Sequence, residues 1–338
     1  MTDLMARLGL DARLKAEGLR HEGLALVNNG ELIEIPVHRH TGKYVTAYGQ
    51  TEITRDLIDA APGRGLRIIW EAKNAALHDL SGDAPLVSWT KDGETHRIKA
   101  RFIVGCDGFH GPSRGAIPEA KRRTYQLDYP FGWLGVLSDV PPCHDEVAYA
   151  NHARGFALAS MRSPTRSRYY VQVGMDECVE DWSDDRFYEE FAIRIGPEIA
   201  ARLVTGPSIE KSIAPLRSFV SEPMRHGSLF LAGDAAHVVP PTGAKGLNLA
   251  ASDVIYLGDA LIDYFTKNTS VGVDGYSARA LARVWKTERF SWYLTKLMHR
   301  FPDASDFERR MQDAELDYVS RSDAAQAMIA ENYVGLPL

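Results

Sequence analysis

Cysteine is scarce: 338 residues hold three, Cys106, Cys143 and Cys178, odd in number and widely spaced. That excludes a disulfide framework and a cysteine-ligated metal centre, and points to reduced thiols, with Cys106 as a small buried hydrophobe. No window approaches the ~20 apolar residues of a membrane span. Met1 to Lys15 mixes leucines and Met5 with charges at helical spacing and lacks the uncharged run of a secretory signal. No membrane partner is expected, and the placement is cytoplasmic. Cationic excess is absent as well, and a net charge of −6 with pI 6.0 gives nucleic acid no electrostatic footprint. There is no Gly-x-Gly-x-x-Gly: the one Gly-x-Gly, Gly63-Arg-Gly65, precedes the apolar run Leu66-Arg-Ile-Ile-Trp70 and reads as a turn. No repeat or low-complexity segment occurs.

What is present suits a large enzyme. An apolar content of 45% can bury a full core, read as two domains sharing one ligand crevice. Leu229-Phe-Leu-Ala-Gly-Asp234 is an apolar strand ending on a carboxylate. Pro240-Pro-Thr-Gly-Ala-Lys-Gly-Leu-Asn248 is a tight loop entering a helix at Gly246. Glycines at Gly243 and Gly246 let backbone approach a ligand, and helix-start N–H groups favour an anion or an electron-rich ring. Arg101-Phe-Ile-Val-Gly-Cys-Asp-Gly-Phe-His-Gly-Pro-Ser-Arg114 repeats the layout, a strand ending on Asp107-Gly108 and then a helix start. Asp-Gly alone is a weak signal, being also a hairpin turn, as at Asp92-Gly93.

Elsewhere the pattern predicts a first helix, a hairpin turning at Asn28-Asn29-Gly30, a strand into Tyr48, and a helix from Gln50 to Ala61 stopped by Pro62-Gly63. Strands follow near Leu66, Leu86 and Thr95. From Arg122 to about Met224 the chain is β-rich, with strands at 131–137, 147–149, 155–162 and 168–173 that suggest an antiparallel sheet. Helices at 246–265, 276–300, 306–318 and 322–333 close the chain.

Ser160 and Arg162 lie two apart on one strand and share a face. A hairpin symmetric about Thr165 sets Ser160 opposite Tyr170 and Arg162 opposite Arg168. Facing guanidiniums need an anion, and an Arg flanked by hydroxyls suits an aromatic carboxylate; a solvated basic hairpin explains the same residues equally well.

Together these motifs resemble the single-component flavoprotein aromatic hydroxylases. Tyr48-Gly-Gln-Thr-Glu52, Tyr129-Pro-Phe-Gly-Trp133, Arg166-Ser-Arg-Tyr-Tyr170, Ala214-Pro-Leu-Arg-Ser-Phe219 and Glu331-Asn-Tyr-Val-Gly335 place it, from His21 onward, among those acting on hydroxybenzoates. The resemblance implies an α/β (α+β) fold. Its parts are an incomplete Rossmann-like FAD-binding domain over 1–121 and 224–338, an inserted antiparallel-sheet substrate domain over 122–223, and C-terminal helices. It implies FAD held by Gln50, Asp107, Asp234, Gly243, Lys245, Gly246, Leu247 and Asn248, with NADPH at His110, Tyr129 and Arg217.

By the same resemblance the carboxylate of a small aromatic acid meets Ser160, Arg162 and Tyr170, and its phenol meets Tyr149 and the Pro241 carbonyl. Tyr149, Tyr333 and His21 then form a proton relay ending toward solvent. Singly, each of the three has a plainer role in the core or at the surface; their co-occurrence supports the relay. A phenol titrates near ~10, so the relay must remove its proton before molecular oxygen, carried as a flavin hydroperoxide, attacks the ring. The implied reaction converts 4-hydroxybenzoate, NADPH and oxygen to 3,4-dihydroxybenzoate in a homodimer. The alternatives are a relative acting on another hydroxybenzoate and a flavin-free remnant that binds aromatic acids. Family members open with a strand, Gly-rich turn and helix of roughly 30 residues that this sequence lacks, so the expectation is weak FAD binding.

Overall fold

The computed structural model describes residues 1–82 and 84–338. Met1 to Lys15 forms two short helices, α1 (Thr2–Arg7) and α2 (Ala12–Glu17), because the chain turns at Gly9 with φ 67°. Then come β1 (Leu19–His21), β2 (Leu24–Asn28), β3 (Glu31–Ile35), a short helix α3 (Val37–Thr41), β4 (Val45–Ala47) and α4 (Gln50–Gly63). The β2–β3 hairpin turns where expected, with Asn29 and Gly30 both at positive φ. α4 runs through Pro62, which sits in the last turn, where a proline costs the helix little beyond one hydrogen bond.

The strand read near Leu66 does not form. Leu66, Ile68 and Trp70 are exposed and find no pairing partner, so β-propensity has nothing to pack against. The strand begins instead at β5 (Lys73–His78), followed by β6 (Leu86–Lys91) and β7 (Glu94–Lys99), whose hairpin turns at Asp92-Gly93. β8 (Ile103–Gly105) carries the first motif; a single tight turn at Arg114–Ala116 stands where a helix start was read.

The β-rich region holds β9 (Arg123–Ser138), β10 (Ala148–Asn151), β11 (Ala157–Ser163), β12 (Arg166–Val173), two helices that the pattern did not suggest, α5 (Asp184–Ile195) and α6 (Pro197–Ala200), then β13 (Ser208–Glu222). α5 starts where Ser183 accepts the Arg186 amide at 3.1 Å, and it lays Phe187, Tyr188, Phe191 and Ile195 on the sheet. Next are β14 (Arg225–His226), β15 (Leu229–Leu231), β16 (His237–Val238), α7 (Gly246–Lys267), α8 (Val271–Met298), α9 (Asp306–Arg321) and α10 (Asp323–Val334).

The large sheet runs β16-β13-β9-β12-β11-β10-β2-β3. It is antiparallel except for β10 on β2, and it draws the β2–β3 hairpin from the front of the chain. β2 is apolar on both sides and buried on both, as an inner strand requires. One sheet face is covered by α5 and α6. The other, carrying Trp133, Tyr149, Phe156 and Leu158, packs against α8, α9 and α10. There His299, pushed down to about 3 by burial, is neutral; its Nε2 accepts from Trp133 Nε1 at 2.7 Å. A second core joins β8 and β15 to α7 and α8. Among the described residues no helix is long and apolar enough to cross a membrane, and no cluster could hold a metal.

α8 also buries a carboxyl. Burial pushes Glu288 up to about 7, with the Ser218 hydroxyl and the Phe219 amide drawing it partly back from a starting value of 4.5. Between those values the folded state holds a proton the unfolded chain has released. Stability should therefore fall as pH rises from about 4.5 to about 7, by about 3 kcal/mol, and level off above. Glu288→Gln is expected to abolish that fall. Urea unfolding at about pH 5 and about pH 8 checks it; the same wild-type-to-variant difference at both pH values would refute it.

Candidate active site

Both glycine–aspartate motifs open at one edge. β8 and β15 run parallel, so Asp107 and Asp234 leave the carboxyl ends of neighbouring strands, where open α/β sheets bind ligands. Asp234 is exposed. Asp107 folds back, its Oδ2 accepting the Ser113 amide at 2.8 Å, and Gly105 is required beneath because a Cβ there would collide with Ser113. Arg114 donates to the carbonyls of Ala235 at 3.0 Å and Phe109 at 2.5 Å, which ties the two motifs together. Cys106 is exposed rather than buried, because it lies just past the strand end.

The loop before α7 turns through Ala244 in a left-handed conformation, φ 50°. The Pro241 carbonyl accepts the Ala244 amide at 2.8 Å and keeps a second lone pair. A Cβ on Gly243 would lie 2.8 Å from Ser291 Oγ, so this glycine lets the loop pack on α8; one on Gly246 would meet nothing. Gln50 and Asn248 are exposed, and Asn248 Oδ1 accepts the Met1 amine at 3.1 Å. Leu247 packs against the cluster of Met5, Leu14 and Ile53. Lys245 is buried, not a loop lysine in solvent. Its Nζ donates to the Tyr333 carbonyl, and burial, helped by Arg283, lowers it to about 7. An exposed carboxylate at a strand end, exposed amides, the unpaired N–H groups opening α7 and the bare flank at Gly246 form a donor set that fits a flavin dinucleotide.

The residues assigned to the nicotinamide lie on or beside one strand pair, in which Arg217 stands opposite Asp128. His110 lies edge-on to Phe109, and the guanidiniums of Arg217 and Arg114 each lie 4.7 Å from that ring. Tyr129 is buried beside Phe131 and Phe301, its hydroxyl 3.3 Å from Ser218.

The hairpin register differs from the symmetric expectation. The turn is tighter, Ser163 pairing with Arg166, and Arg162 is the extra residue of a bulge; Ser160 therefore lies opposite Arg168, and Tyr170 opposite Leu158. The two guanidiniums do not face each other. Ser160 donates to the Arg168 carbonyl at 2.7 Å. Arg168 pairs with Glu210 at 2.8 Å and Arg166 with Asp139 at 2.6 Å, whereas Arg162 is exposed and, among the described residues, has no carboxylate partner. Gly135, Tyr170, Leu158 and Tyr149 form one row across the sheet. Gly135 must stay bare, since a Cβ would lie 2.7 Å from the Tyr170 ring. Tyr149 and Tyr170 are two strands apart, ~10 Å, the reach of a benzoate ring hydrogen-bonded at both para groups.

Tyr149 and Tyr333 meet. Their hydroxyls are 3.1 Å apart and buried. Burial drives Tyr149 well above the ordinary tyrosine range, and it raises Tyr333 to about 12, with the Glu146 charge adding to the rise. No hydrogen bond joins Tyr333 to His21. His21 is 2% exposed rather than at the solvent, and its Nδ1 lies 2.7 Å from Glu146 Oε2; Glu146 is 25% exposed and is the outward member of the pair. Glu146 carries no motif that marks it in the sequence. Its only signal was an acid just ahead of the buried strand that carries Tyr149.

The chain is 54% identical over 336 residues to p-hydroxybenzoate hydroxylase of Acinetobacter baylyi, covering 99% of this chain and 83% of that protein. It is 29% identical over 201 residues to 3-(3-hydroxy-phenyl)propionate/3-hydroxycinnamic acid hydroxylase of a Mycobacterium species, covering 59% of this chain and 32% of that one. The crystal structure of p-nitrophenol 4-monooxygenase from Pseudomonas putida shares the fold, with TM-score 0.82, 16% identity, and coverage of 100% of this chain and 87% of that one. The sequence model of the family described as FAD binding domain matches residues 1–291, and the chain belongs to that family.

Proposed function

We propose that this chain is a flavin-dependent aromatic hydroxylase that converts 4-hydroxybenzoate to 3,4-dihydroxybenzoate with FAD, NADPH and oxygen. The observation that carries the reading is the buried Tyr149–Tyr333 pair, with Tyr149 in the same sheet row as Tyr170, on the face packed against the C-terminal helices. FAD supplies the oxygen-activating chemistry when bound. Asp234 would accept from its hydroxyls, Gln50 and Asn248 would bond its ring system, and the start of α7 would face its negative charge. The protein's own residues hold the acid at one end, through Arg162, Ser160 and Tyr170, and its phenol at the other, through Tyr149 and the Pro241 carbonyl. His110 and Arg217 would take the coenzyme phosphates, with Tyr129 behind them. The division into domains at about residues 122 and 223, a homodimer and a cytoplasmic placement belong to the same reading.

The test is FAD-loaded protein given NADPH and oxygen with and without 4-hydroxybenzoate. Substrate-stimulated coenzyme oxidation with 3,4-dihydroxybenzoate as product is expected, and no such product would reject the reading. A second expectation concerns the free guanidinium on the hairpin. Arg162→Ala should weaken 4-hydroxybenzoate binding by roughly 10- to 150-fold, the scale of one charge-assisted hydrogen bond of ~1.5–3 kcal/mol. Arg162→Lys should recover only part, because an ammonium cannot make the fork contact. Equilibrium titration of the three proteins decides it; equal affinities would remove Arg162 from the carboxylate site.

A further inference from the structure

The Glu146 carboxylate is fully engaged. Oε1 accepts two backbone amides, from Glu22 at 2.9 Å and Gly23 at 3.0 Å, while Oε2 lies 2.7 Å from His21 Nδ1. An ionised carboxylate only accepts, so the ring hydrogen between them belongs to Nδ1. The other ring nitrogen, Nε2, is buried and, among the described residues, has no partner. An unpaired, buried acceptor is costly, and its neighbourhood is the relay: His21 pairs across the strands with Val45, which packs against the cluster that holds Tyr149 and Tyr333.

We infer that Glu146 is a positioning residue for proton transfer: by taking the Nδ1 hydrogen of His21 it keeps Nε2 bare, and Nε2 is the atom that receives the proton leaving the tyrosine pair. The inference deepens the proposed function and rests on it. When the phenol of a bound hydroxybenzoate loses its proton, that proton moves to Tyr149, the Tyr149 proton to Tyr333, and the Tyr333 proton to Nε2 by way of water, because no direct hydrogen bond joins the two. The imidazolium then carries hydrogen on both nitrogens and faces the Glu146 carboxylate, which steadies the charge. Release of the Nδ1 proton through the partly exposed Glu146 side leaves hydrogen on Nε2, and the ring regains its resting tautomer when Nδ1 takes a proton back by that side and Nε2 returns its own to the tyrosine pair once the product is made. No bond other than O–H and N–H changes, and the charge balances as phenolate plus released proton.

Glu146→Gln separates this role from a purely structural one. The Glu22 and Gly23 amides both need an acceptor, so the glutamine oxygen must stay on them and its NH2 must face His21. That forces Nδ1 to accept and moves the ring hydrogen to Nε2, closing the acceptor without changing the shape. In FAD-loaded protein with ¹⁵N-labelled histidine, wild-type His21 should show hydrogen on Nδ1 and the Gln variant hydrogen on Nε2. Proton release on mixing with 4-hydroxybenzoate, followed with an indicator dye, should slow at least about tenfold in the variant while substrate affinity stays within about twofold. Glu146→Asp, still acceptor-only, should recover part of the rate.

Hydrogen on Nε2 in wild type, or a flipped tautomer with an unchanged rate, overturns the inference. The wild-type spectrum and the Asp variant decide it even if the Gln variant fails to fold. A wild-type protein that releases no proton with 4-hydroxybenzoate removes the functional reading, and the relay role with it, whatever the tautomer.

Discussion

Tyr149→Phe is expected to cut the yield of 3,4-dihydroxybenzoate per coenzyme oxidised by at least about tenfold, general acid–base assistance being worth ~100-fold or more where it is complete. The reason lies in the pair's geometry. Tyr149 is fully enclosed, its hydroxyl touches Tyr333 at 3.1 Å, and burial keeps it protonated far past neutral pH. A hydroxyl that resists ionising can pass a proton on and also donate a hydrogen bond to a phenolate, so it stabilises the reactive form of the substrate without competing for the charge. Phenylalanine fills the same volume and does neither. The carboxylate contacts lie on β11 and β12 and remain, so 4-hydroxybenzoate should still bind and still promote coenzyme oxidation, with the reduced oxygen appearing as hydrogen peroxide. Tyr333 loses its partner, and a cost of about 1–3 kcal/mol in stability accompanies the change. Parallel assays of coenzyme, peroxide and product give the coupling ratio. A ratio equal to wild type would make Tyr149 a core residue and end the relay argument.

Motifs that are local in sequence were legible; contacts made across the sheet were not. The strand–aspartate–loop–helix at Leu229 to Asn248 could be read because each signal, the apolar run, the Gly-Asp stop and the helix start, sits within one continuous segment. The four C-terminal helices could be read for the same reason. The hairpin at Thr165 was found, but not its register, because a bulge at Arg162 leaves no mark in residue type. Leu66 to Trp70 has strand composition and no partner, which only the sheet order reveals. Glu146 and His21 are 125 positions apart, and their bond depends on β10 lying beside β2, a parallel pairing that alternation alone does not specify. The same holds for Lys245, whose burial is decided by α10 folding over the loop to present the Tyr333 carbonyl.

Asp253 shows how such a hidden contact supports the site, and its replacement should have the largest effect on stability. On α7 it is wholly buried; one oxygen, Oδ2, accepts both the Gly233 amide at 2.9 Å and His237 Nε2 at 2.6 Å, while Oδ1 has no partner among the described residues. It thereby clamps the Gly233-Asp234 turn, where Gly233 has φ 61°, onto the helix that follows the Pro241 to Lys245 loop. Asp253→Ala strands a buried amide and a buried imidazole N–H, and each buried donor left without an acceptor costs about 1–3 kcal/mol. Asp253→Asn should be far milder, under about 2 kcal/mol. Its amide oxygen can take the place of Oδ2 and keep both bonds, while the NH2 takes the place of an oxygen that bonded nothing. The two variants therefore distinguish a hydrogen-bond clamp from a charge pair. Urea unfolding followed by tryptophan fluorescence gives the stabilities, and FAD titration should show weaker binding in the Ala variant, because the turn that aims Asp234 is no longer held. If Asn proved as damaging as Ala, the negative charge and not the acceptor geometry would be what holds the turn; if Ala cost less than about 1 kcal/mol, the clamp would not exist.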